Sequence, residues 1–476
     1  MRLLMNAPKV NSPPCSNGKR PAYRALITVL AVLSVTACAQ RARLYGPVAG
    51  GHAQATEDVC SKAGGAEGYY QWITGVCMPE IERDLPWIIE SAGAAAEAYV
   101  QDGSTISGMG EPGFVSEALG RAGGLIALGF GSPVDKTPKR GGGGPRRVVL
   151  YCIREESLDN DLAEINALHE KGACVIAFGR EEFIDVAARR RVKAAAFVNS
   201  HAARDGGLFI GADGRFVVPT DPVANLIALW TWTGEFVAAC TRLGKMPVMY
   251  KAYGSPGGYD WAKKHRSKKF HEAEPTPVRS GEFGRAFLSG LARSLDGIRT
   301  TEFADIRQAA ELASDARLAG KKVYVFVHGH AIKDRMGCPH DPGYFTQYNE
   351  GWFDPRPGVE LKSGDFLMYI GHGGMPTWGK FDKHNYLVAW REAGVKMVWS
   401  FGDMNHESFE SSVGRIRDDE IFIDQHMYQG DACVPVPGHP IDIIPTSGVT
   451  SEAVLWMVNA EYHRLLNDSR LDTISP

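Results

Sequence analysis

An α/β fold of two tandem, doubly wound parallel sheets is predicted by three observations. Short apolar runs alternate with helix-patterned segments; the alternation breaks at a Gly-, Pro- and Lys-rich stretch, 254–277, and then restarts; and a proline–threonine cap closes each half. Strand-like runs separated by helices call for crossover connections, and crossovers cover both faces of a parallel sheet with helices. A length of 476 residues leaves room for two such cores, since single cores stop growing at roughly 250–300 residues.

In the first half, 69–100 has helical character broken by Pro79 and Pro86, and strands are expected at 104–108, 147–153, 173–178 and 194–199. The clearest helix covers 157–172, where Leu162, Ile165 and Leu168 keep the helical period and Gly172 supplies the stop. In the second half, a helix at 301–319 leads into strands at 322–327, 365–370, 395–400 and 421–423, with a helix ending near Gly394. Val218-Pro219-Thr220-Asp221 opens an apolar helix carrying Trp230 and Glu235, and Ile444-Pro445-Thr446-Ser447 opens one carrying Trp456 and Glu461. Each cap alone is ordinary helix-start chemistry. Their repetition after the last strand of each half argues for duplication.

The N-terminus reads as an address. Lys19, Arg20 and Arg24 precede the apolar run 25–35, which is too short to span a bilayer and fits a signal-peptide core. Val35-Thr36-Ala37-Cys38 follows, resembling a lipobox that would leave Cys38 as the lipid anchor; cleavage after Ala37-Cys38-Ala39 is the plainer alternative. The expected order is a signal peptide at 1–37, a tether at 38–66, a first domain at 67–253, a linker at 254–280 and a second domain at 281–476. Both cleavage readings place the protein outside the cytoplasm, the first on the periplasmic face of a membrane.

A net charge of −3 and the lack of a basic, aromatic-interleaved stripe argue against nucleic acid as partner. Of nine cysteines, Cys15 leaves with the signal and Cys38 is the lipid candidate. An odd number remains, which rules out a complete disulfide framework. Cys60 and Cys77 are the pair weighed as a disulfide, while Cys152 and Cys174 sit in strand-like runs and read as buried hydrophobes.

The motifs resemble the sugar isomerase (SIS) superfamily, and within it a branch carrying an RAGGL motif after the first strand. Gly108-Met109-Gly110-Glu111 followed by Glu117 and Arg121-Ala122-Gly123-Gly124-Leu125 looks like that branch's strand, turn and helix. In the second half, Gly364-Asp365 resembles the GD opening the second strand, Asp424-Gln425-His426 with Gly430-Asp431-Ala432 resembles a DNH…GDA motif, and Pro445-Thr446-Ser447 resembles the PTS that follows. The resemblance implies five-stranded parallel sheets pairing to form sites, here within one chain, and a sugar or sugar-phosphate ligand. A homo-oligomer is left open.

The usual Ser-x-Ser-Gly phosphate turn is replaced by Arg154-Glu155-Glu156-Ser157 in the first half and by Gly371-His372-Gly373-Gly374 in the second. Carboxylates repel phosphate unless protonated or paired, so an anion is expected in the second half, on backbone donors of Gly371, Gly373 and Gly374 beside His372. Asp431, Thr446 and Ser447 complete the expected ligand-binding set. His330, His406, His426 and Asp424 are the expected catalytic residues, because side chains at successive strand ends share one sheet edge and imidazole titrates near neutral pH. A divalent metal held by His328, His330 and His372 is the alternative use of that edge. Tyr344, Phe345, Tyr348, Trp352 and Phe353 fill the long connection after His330, as a lid or as a satellite apolar cluster. The function read from the sequence is an exported protein binding or isomerising a sugar or sugar derivative. A non-catalytic carbohydrate sensor and a metal-dependent sugar lyase or hydrolase are the rival readings.

Overall fold

In the computed structural model, which describes residues 63–130, 146–253, 255–350, 354–371 and 385–474, both halves build the same sheet. In unit one, β1 (Thr105–Gly110), β2 (Leu128–Phe130), β3 (Arg147–Cys152), β4 (Cys174–Gly179) and β5 (Ala196–Asn199) lie in the order β2-β1-β3-β4-β5, every pair parallel. In unit two, β6 (Val323–His328), β7 (Thr346–Gln347), β8 (Phe366–Gly371), β9 (Lys396–Phe401) and β10 (Ile421–Asp424) lie in the order β7-β6-β8-β9-β10, again all parallel. By rank along the chain, both orders are second, first, third, fourth, fifth. The expected strands are present, and β2 and β7 are added at equivalent edges.

The helices obey the same symmetry. Unit one opens with α1 (Gly65–Trp72) and α2 (Leu85–Tyr99) and, after the first strand, runs α3 (Pro112–Ala118), α4 (Leu158–Glu170), α5 (Glu181–Arg189) and the closing α6 (Asp221–Arg242). Unit two opens with α7 (Glu282–Gly297) and α8 (Phe303–Leu318) and continues with α9 (Asn385–Glu392), α10 (His406–Val413) and the closing α11 (Ser447–Ile474). A π-helical turn leads out of each opening helix, Ile73–Cys77 after α1 and Ile298–Glu302 after α7. Each closing helix packs on its own second helix and on the opening helix of the other unit, α6 on α2 and α7, α11 on α8 and α1.

The repeated glutamate of the two closing helices explains that exchange. Glu235 of α6 accepts from the backbone N–H groups of Gly281 and Gly284, each at 2.8 Å, at the start of α7. Glu461 of α11 accepts from Ala66 N at 3.1 Å, at the start of α1. Carboxylates at a helix N-terminus satisfy orphan donors and favour the dipole, so each unit caps the other. Both side chains are buried, and one continuous apolar core covers the inner faces of both sheets and the helices between them. Separate clusters fill the outer faces: Leu162, Ile165 and Phe183 in unit one, Trp390, Trp399 and Phe409 in unit two. Helix α6 is long and apolar enough to cross a membrane but is buried throughout.

The stretch expected as a linker, 254–280, contains a helix, Gly258–His265, and is pinned to unit one by Lys269, whose Nζ donates to the carbonyls of Gln101 and Ser104 at 3.1 and 3.0 Å. The aromatic connection of unit two is no lid where it is described. Phe345 packs on Phe366 and Tyr462, and Tyr348 on Tyr324 and Trp390, all as wall of the core. Phe345 and Tyr348 flank the short strand β7 and enter different apolar clusters, the shared core and the outer cluster of unit two; Trp352 and Phe353 lie outside the described residues. Cys77 is a buried free thiol near the Ser200 carbonyl, with Cys60 outside the described residues, and Cys152 is buried while Cys174 is partly so.

Candidate functional site

The last strand of each unit ends in the same device. Asp424 Oδ1 accepts from His426 N at 3.0 Å, and Asn199 Oδ1 accepts from His201 N at 2.9 Å. Both histidines are left-handed, with φ of +46° and +55°, a conformation uncommon outside glycine that the side-chain acceptor helps to hold. Each ring then meets a carboxylate that begins the second helix of its own unit: His426 Nε2 lies 3.3 Å from Glu302 Oε1, His201 Nε2 lies 2.9 Å from Asp84 Oδ2. The sequence carries the signal for this copy in the spacing Asn199-x-His201, which echoes Asp424-x-His426.

Further side chains gather around His426. Arg293, Ser294, Asp403, Asp424, His426 and Tyr428 line an open cleft of about 450 Å³ at the carboxyl ends of β9 and β10. Asp424 Oδ1 also accepts from Asp403 N at 2.8 Å, and Asp424 N donates to Glu302 Oε2 at 3.0 Å. His426 Nε2 is 2.9 Å from Thr301 Oγ1, and Arg293 Nε donates to the Tyr428 hydroxyl at 2.9 Å. His406 stands behind Asp403, its Nδ1 3.3 Å from Asp403 Oδ1 and its ring against Phe422. Asp424, His426 and His406 are therefore brought together as expected.

His330 is not part of that group. Strand β6 is three positions from β10 in the sheet, roughly 14 Å at the usual strand spacing, and His330 Nδ1 donates instead to the Ser116 carbonyl of α3 at 3.1 Å. Burial, with the charge of Arg121 second, pushes its pKa down to about 3, so it is a neutral imidazole wedged between the units. His328 is buried with Nδ1 2.7 Å from the Tyr369 hydroxyl. Among the described residues no group of three histidine, cysteine or acidic side chains is arranged to hold a metal ion. His328 and His330 thus make no metal site with a described carboxylate, and the third candidate, His372, lies outside the described residues with Gly373 and Gly374. Gly371 ends β8 where a Cβ would lie 2.1 Å from the His328 carbonyl oxygen. In unit one the glycine stands on the other central strand: a Cβ at Gly110, which ends β1, would lie 1.9 Å from the Cys152 carbonyl oxygen at the end of β3, so glycine is required where the two central strands part.

Asp431, Thr446 and Ser447, expected at the ligand, sit in a buried network between the units. Arg121 of the RAGGL motif reaches Glu117 and Asp431, each at 3.0 Å, and Ser447 Oγ; Asp431 Oδ2 accepts from Ser447 Oγ at 2.8 Å. Arg121, Thr446 and Ser447 are almost wholly buried; Arg121 and Ser447 bond within the interface, whereas Thr446 Oγ1 has no hydrogen-bond partner among the described residues. A second such network joins Arg335 of unit two to Glu452 and to Glu111 of unit one, both at 2.6 Å. Beside them, β-branched Val218 and Ile444 both adopt left-handed backbone, φ +63° and +64°, immediately before proline. Their N–H groups donate across the units, Val218 to the His340 carbonyl at 2.9 Å and Ile444 to the Gly123 carbonyl at 3.0 Å. Strain of about 1–3 kcal/mol at such a residue persists only where the surroundings over-determine it.

No protein-family model matches the chain, and no curated protein matches it. Solved structures similar to it are sugar-phosphate proteins. One, from Clostridium novyi and described as a tagatose-6-phosphate ketose/aldose isomerase, has 10% identity, a TM-score of 0.44 and coverage of 86% of this chain and 91% of its own. Another, from Silicibacter pomeroyi and described as a phosphosugar isomerase, has 11% identity, a TM-score of 0.39 and coverage of 83% and 98%. The C-terminal domain of glucosamine-fructose-6-phosphate aminotransferase from Francisella tularensis has 10% identity, a TM-score of 0.35 and coverage of 82% and 94%. The fold itself rests on the two matched sheets: the chain is a tandem pair of doubly wound α/β units that cap one another.

Proposed function

We propose that the chain is an exported tandem SIS protein that binds a sugar or sugar derivative in unit two and shifts a proton between neighbouring sugar carbons there. The cleft at the ends of β9 and β10 carries this reading, because it sets an imidazole among carboxylates beside a cation. Aldose–ketose interconversion needs a base to take a proton from one carbon and return it to the next, and histidine suits that task near neutral pH. His426 is the acid–base group, Glu302 orients its ring, Asp424 fixes its backbone, and Arg293 meets an anionic substituent. The basic residues, short apolar core and Val35-Thr36-Ala37-Cys38 string support export and anchoring through Cys38. In that case Cys38→Ala frees the mature chain from the membrane fraction, and unchanged attachment excludes the anchor.

The shared strand-end device makes an internal control. Fructose 6-phosphate and free fructose are titrated in a thermal-shift assay and incubated for aldose formation with parent, His426→Ala and His201→Ala. Ligand-induced stabilisation and turnover lost in His426→Ala and kept in His201→Ala support the reading. Binding without turnover in the parent assigns a sugar sensor, and equal behaviour of all three proteins refutes the site.

A further inference from the structure

The stretch that follows α6 carries a charge that the reaction above does not use. Between Arg242 and Lys269, Asp260 is the one acid among eight lysines and arginines, in a chain whose net charge is −3. The excess is local, and it corrects the expectation that no basic stretch is interleaved with aromatic residues. Lys268 pairs with Glu272 at 2.7 Å, and Lys269 is taken up by carbonyls of unit one. Lys245, Lys263, Lys264 and Arg266 are exposed and make no salt bridge among the described residues.

The backbone holds these cations on a fixed scaffold. Segments 246–248 and 269–271 run antiparallel, Val248 N donating to the Lys269 carbonyl at 3.1 Å and His271 N to that of Met246 at 2.9 Å. The helix Gly258–His265, between them in the chain, docks through Trp261, whose Nε1 donates to the Met249 carbonyl at 2.9 Å. At its start a Cβ on Gly258 would stand 1.9 Å from the Ala252 carbonyl oxygen, an approach that needs glycine. Ala262 and His265 are buried on the inner side, while Tyr259, Lys263 and Arg266 are exposed. At 3.6 residues per turn those three lie within about 60° of one another, with Lys264 next to them. Five large apolar side chains are exposed among the described residues, and three of them, Leu243, Tyr253 and Tyr259, belong to this stretch, Tyr259 at 69%. Exposed apolar groups gathered in one place mark an interaction surface.

We infer that the outer face of helix Gly258–His265, with Arg266 beyond its end, docks on an anionic phospholipid surface. A bilayer presents a plane of phosphates that Lys263, Lys264 and Arg266 meet together, and their mutual repulsion is relieved there rather than by a carboxylate of the chain. The Tyr259 ring suits the headgroup level, where an apolar body and a polar tip are both accommodated. The helix does not insert, because its apolar side is already packed against the protein through Trp261 and Ala262. It lies with its charged side on the headgroups. Duplex nucleic acid would use the same cations but offers Tyr259 no headgroup level, so the tyrosine separates the two partners. Neither the Cys38 anchor nor the sugar cleft is needed for this contact.

The experiment uses the full chain carrying Cys38→Ala, so that no acyl chain contributes, and measures co-sedimentation with two kinds of vesicle. One is phosphatidylcholine alone; the other is phosphatidylcholine and phosphatidylglycerol in equal parts. The apolar run 25–35 binds both kinds alike, so the difference between them reads the charged face. Preference for the anionic vesicles, weakening as salt is raised, is expected of the parent. Lys263→Ala/Lys264→Ala/Arg266→Ala should lower that binding about a hundred-fold, at about five-fold for each charge near the surface, and Tyr259→Ala should lower it a few-fold. Equal binding of parent and triple variant, or no preference for anionic lipid, overturns the proposal. So does a parent that holds duplex DNA as tightly as vesicles while Tyr259→Ala changes neither, which makes the face a general polyanion surface. The substituted side chains are exposed and unpaired, so thermal unfolding should match the parent's. If the triple variant does not fold, Lys263→Gln/Arg266→Gln decides by the same titration, a loss of about twenty-five-fold supporting the surface and none refuting it. His426 and its cleft are untouched by these variants, so failure here leaves the sugar reading standing, and the reverse.

Discussion

In unit one the turn after β3 places Glu155 against Arg180 and His340, while in unit two the corresponding strand, β8, ends at Gly371, where close approach of His328 excludes any side chain. The same strand order thus serves one edge closed by its own carboxylate and another whose last strands border an open cleft. What the units share belongs to the fold: the left-handed histidine after the last strand, the left-handed residue before proline, and the closing-helix glutamate that caps the other unit. What they do not share is where function is to be sought. On that ground the proposed role of His426 rests on Arg293, Asp403 and Tyr428, which line its cleft, rather than on a geometry that His201 also has.

The sharpest way to break this comparison is to cut the buried networks that hold the units in register. Arg121→Ala strands Glu117 and Asp431, and Arg335→Ala strands Glu452, all buried. Removing one partner of a buried ion pair costs about 3–5 kcal/mol, because the remaining charge has neither water nor partner. Both variants should lose about that much in urea unfolding at pH 7. A loss under about 1 kcal/mol in either would mean that the network is hydrated and the units are coupled elsewhere.

A smaller effect separates the two caps. Glu235→Ala orphans two buried donors, Gly281 N and Gly284 N, whereas Glu461→Ala orphans Ala66 N and releases Arg464, which reaches Glu461 Oε1 at 2.7 Å from a half-exposed position. An unsatisfied buried donor costs about 1–3 kcal/mol. Glu235→Ala is therefore expected to destabilise by about 2–3 kcal/mol and Glu461→Ala by about 1 kcal/mol less, in the same unfolding assay. Equal losses would show that helix packing, not capping, sets the cost.

These caps also show how much the sequence disclosed. Trp230 with Glu235 and Trp456 with Glu461 were readable as a repeat because both lie in long apolar helices behind a proline–threonine cap, and the longer strands were readable because four or more apolar residues in a row leave a pattern. Strands β2 and β7, of three and two residues, leave none and are fixed by pairing alone. The rule that strand ends share an edge correctly joined Asp424, His426 and His406, but it could not say that His330 turns toward Ser116, since that depends on how the other unit packs. Glu302, Asp84 and His340 carry no local motif; only the folded chain brings them to their partners. Asp431 and Ser447 stand in motifs that point toward a ligand and Arg121 in one that marks the first helix, yet burial binds the three to one another.

The last contrast is one of pH, with His330 acting below pH 6.5 and His340 above it. His330 and His340 are ten positions apart and both face unit one, yet their surroundings push them in opposite directions: burial and Arg121 lower His330 to about 3, whereas the hydrogen bond with Glu155 raises His340. An unfolded histidine takes up its proton near pH 6.5. Between there and about pH 3 the unfolded chain holds a proton at His330 that the folded chain does not, so His330 costs nothing above pH 6.5 and drains stability as the pH falls, by up to about 1.4 kcal/mol per pH unit. His340 has the opposite sign: its contribution is full below pH 6.5 and is lost as the pH rises through its raised value. His330→Gln, with an amide that can still donate to the Ser116 carbonyl, should flatten the fall in unfolding free energy between pH 6 and pH 4 by up to one proton. His340→Gln should leave that fall unchanged and instead flatten the loss of unfolding free energy as the pH rises above 6.5. Urea unfolding at half-unit pH intervals reads both, and curves parallel to the parent's in the two variants would mean that neither imidazole is held in the state its neighbours impose.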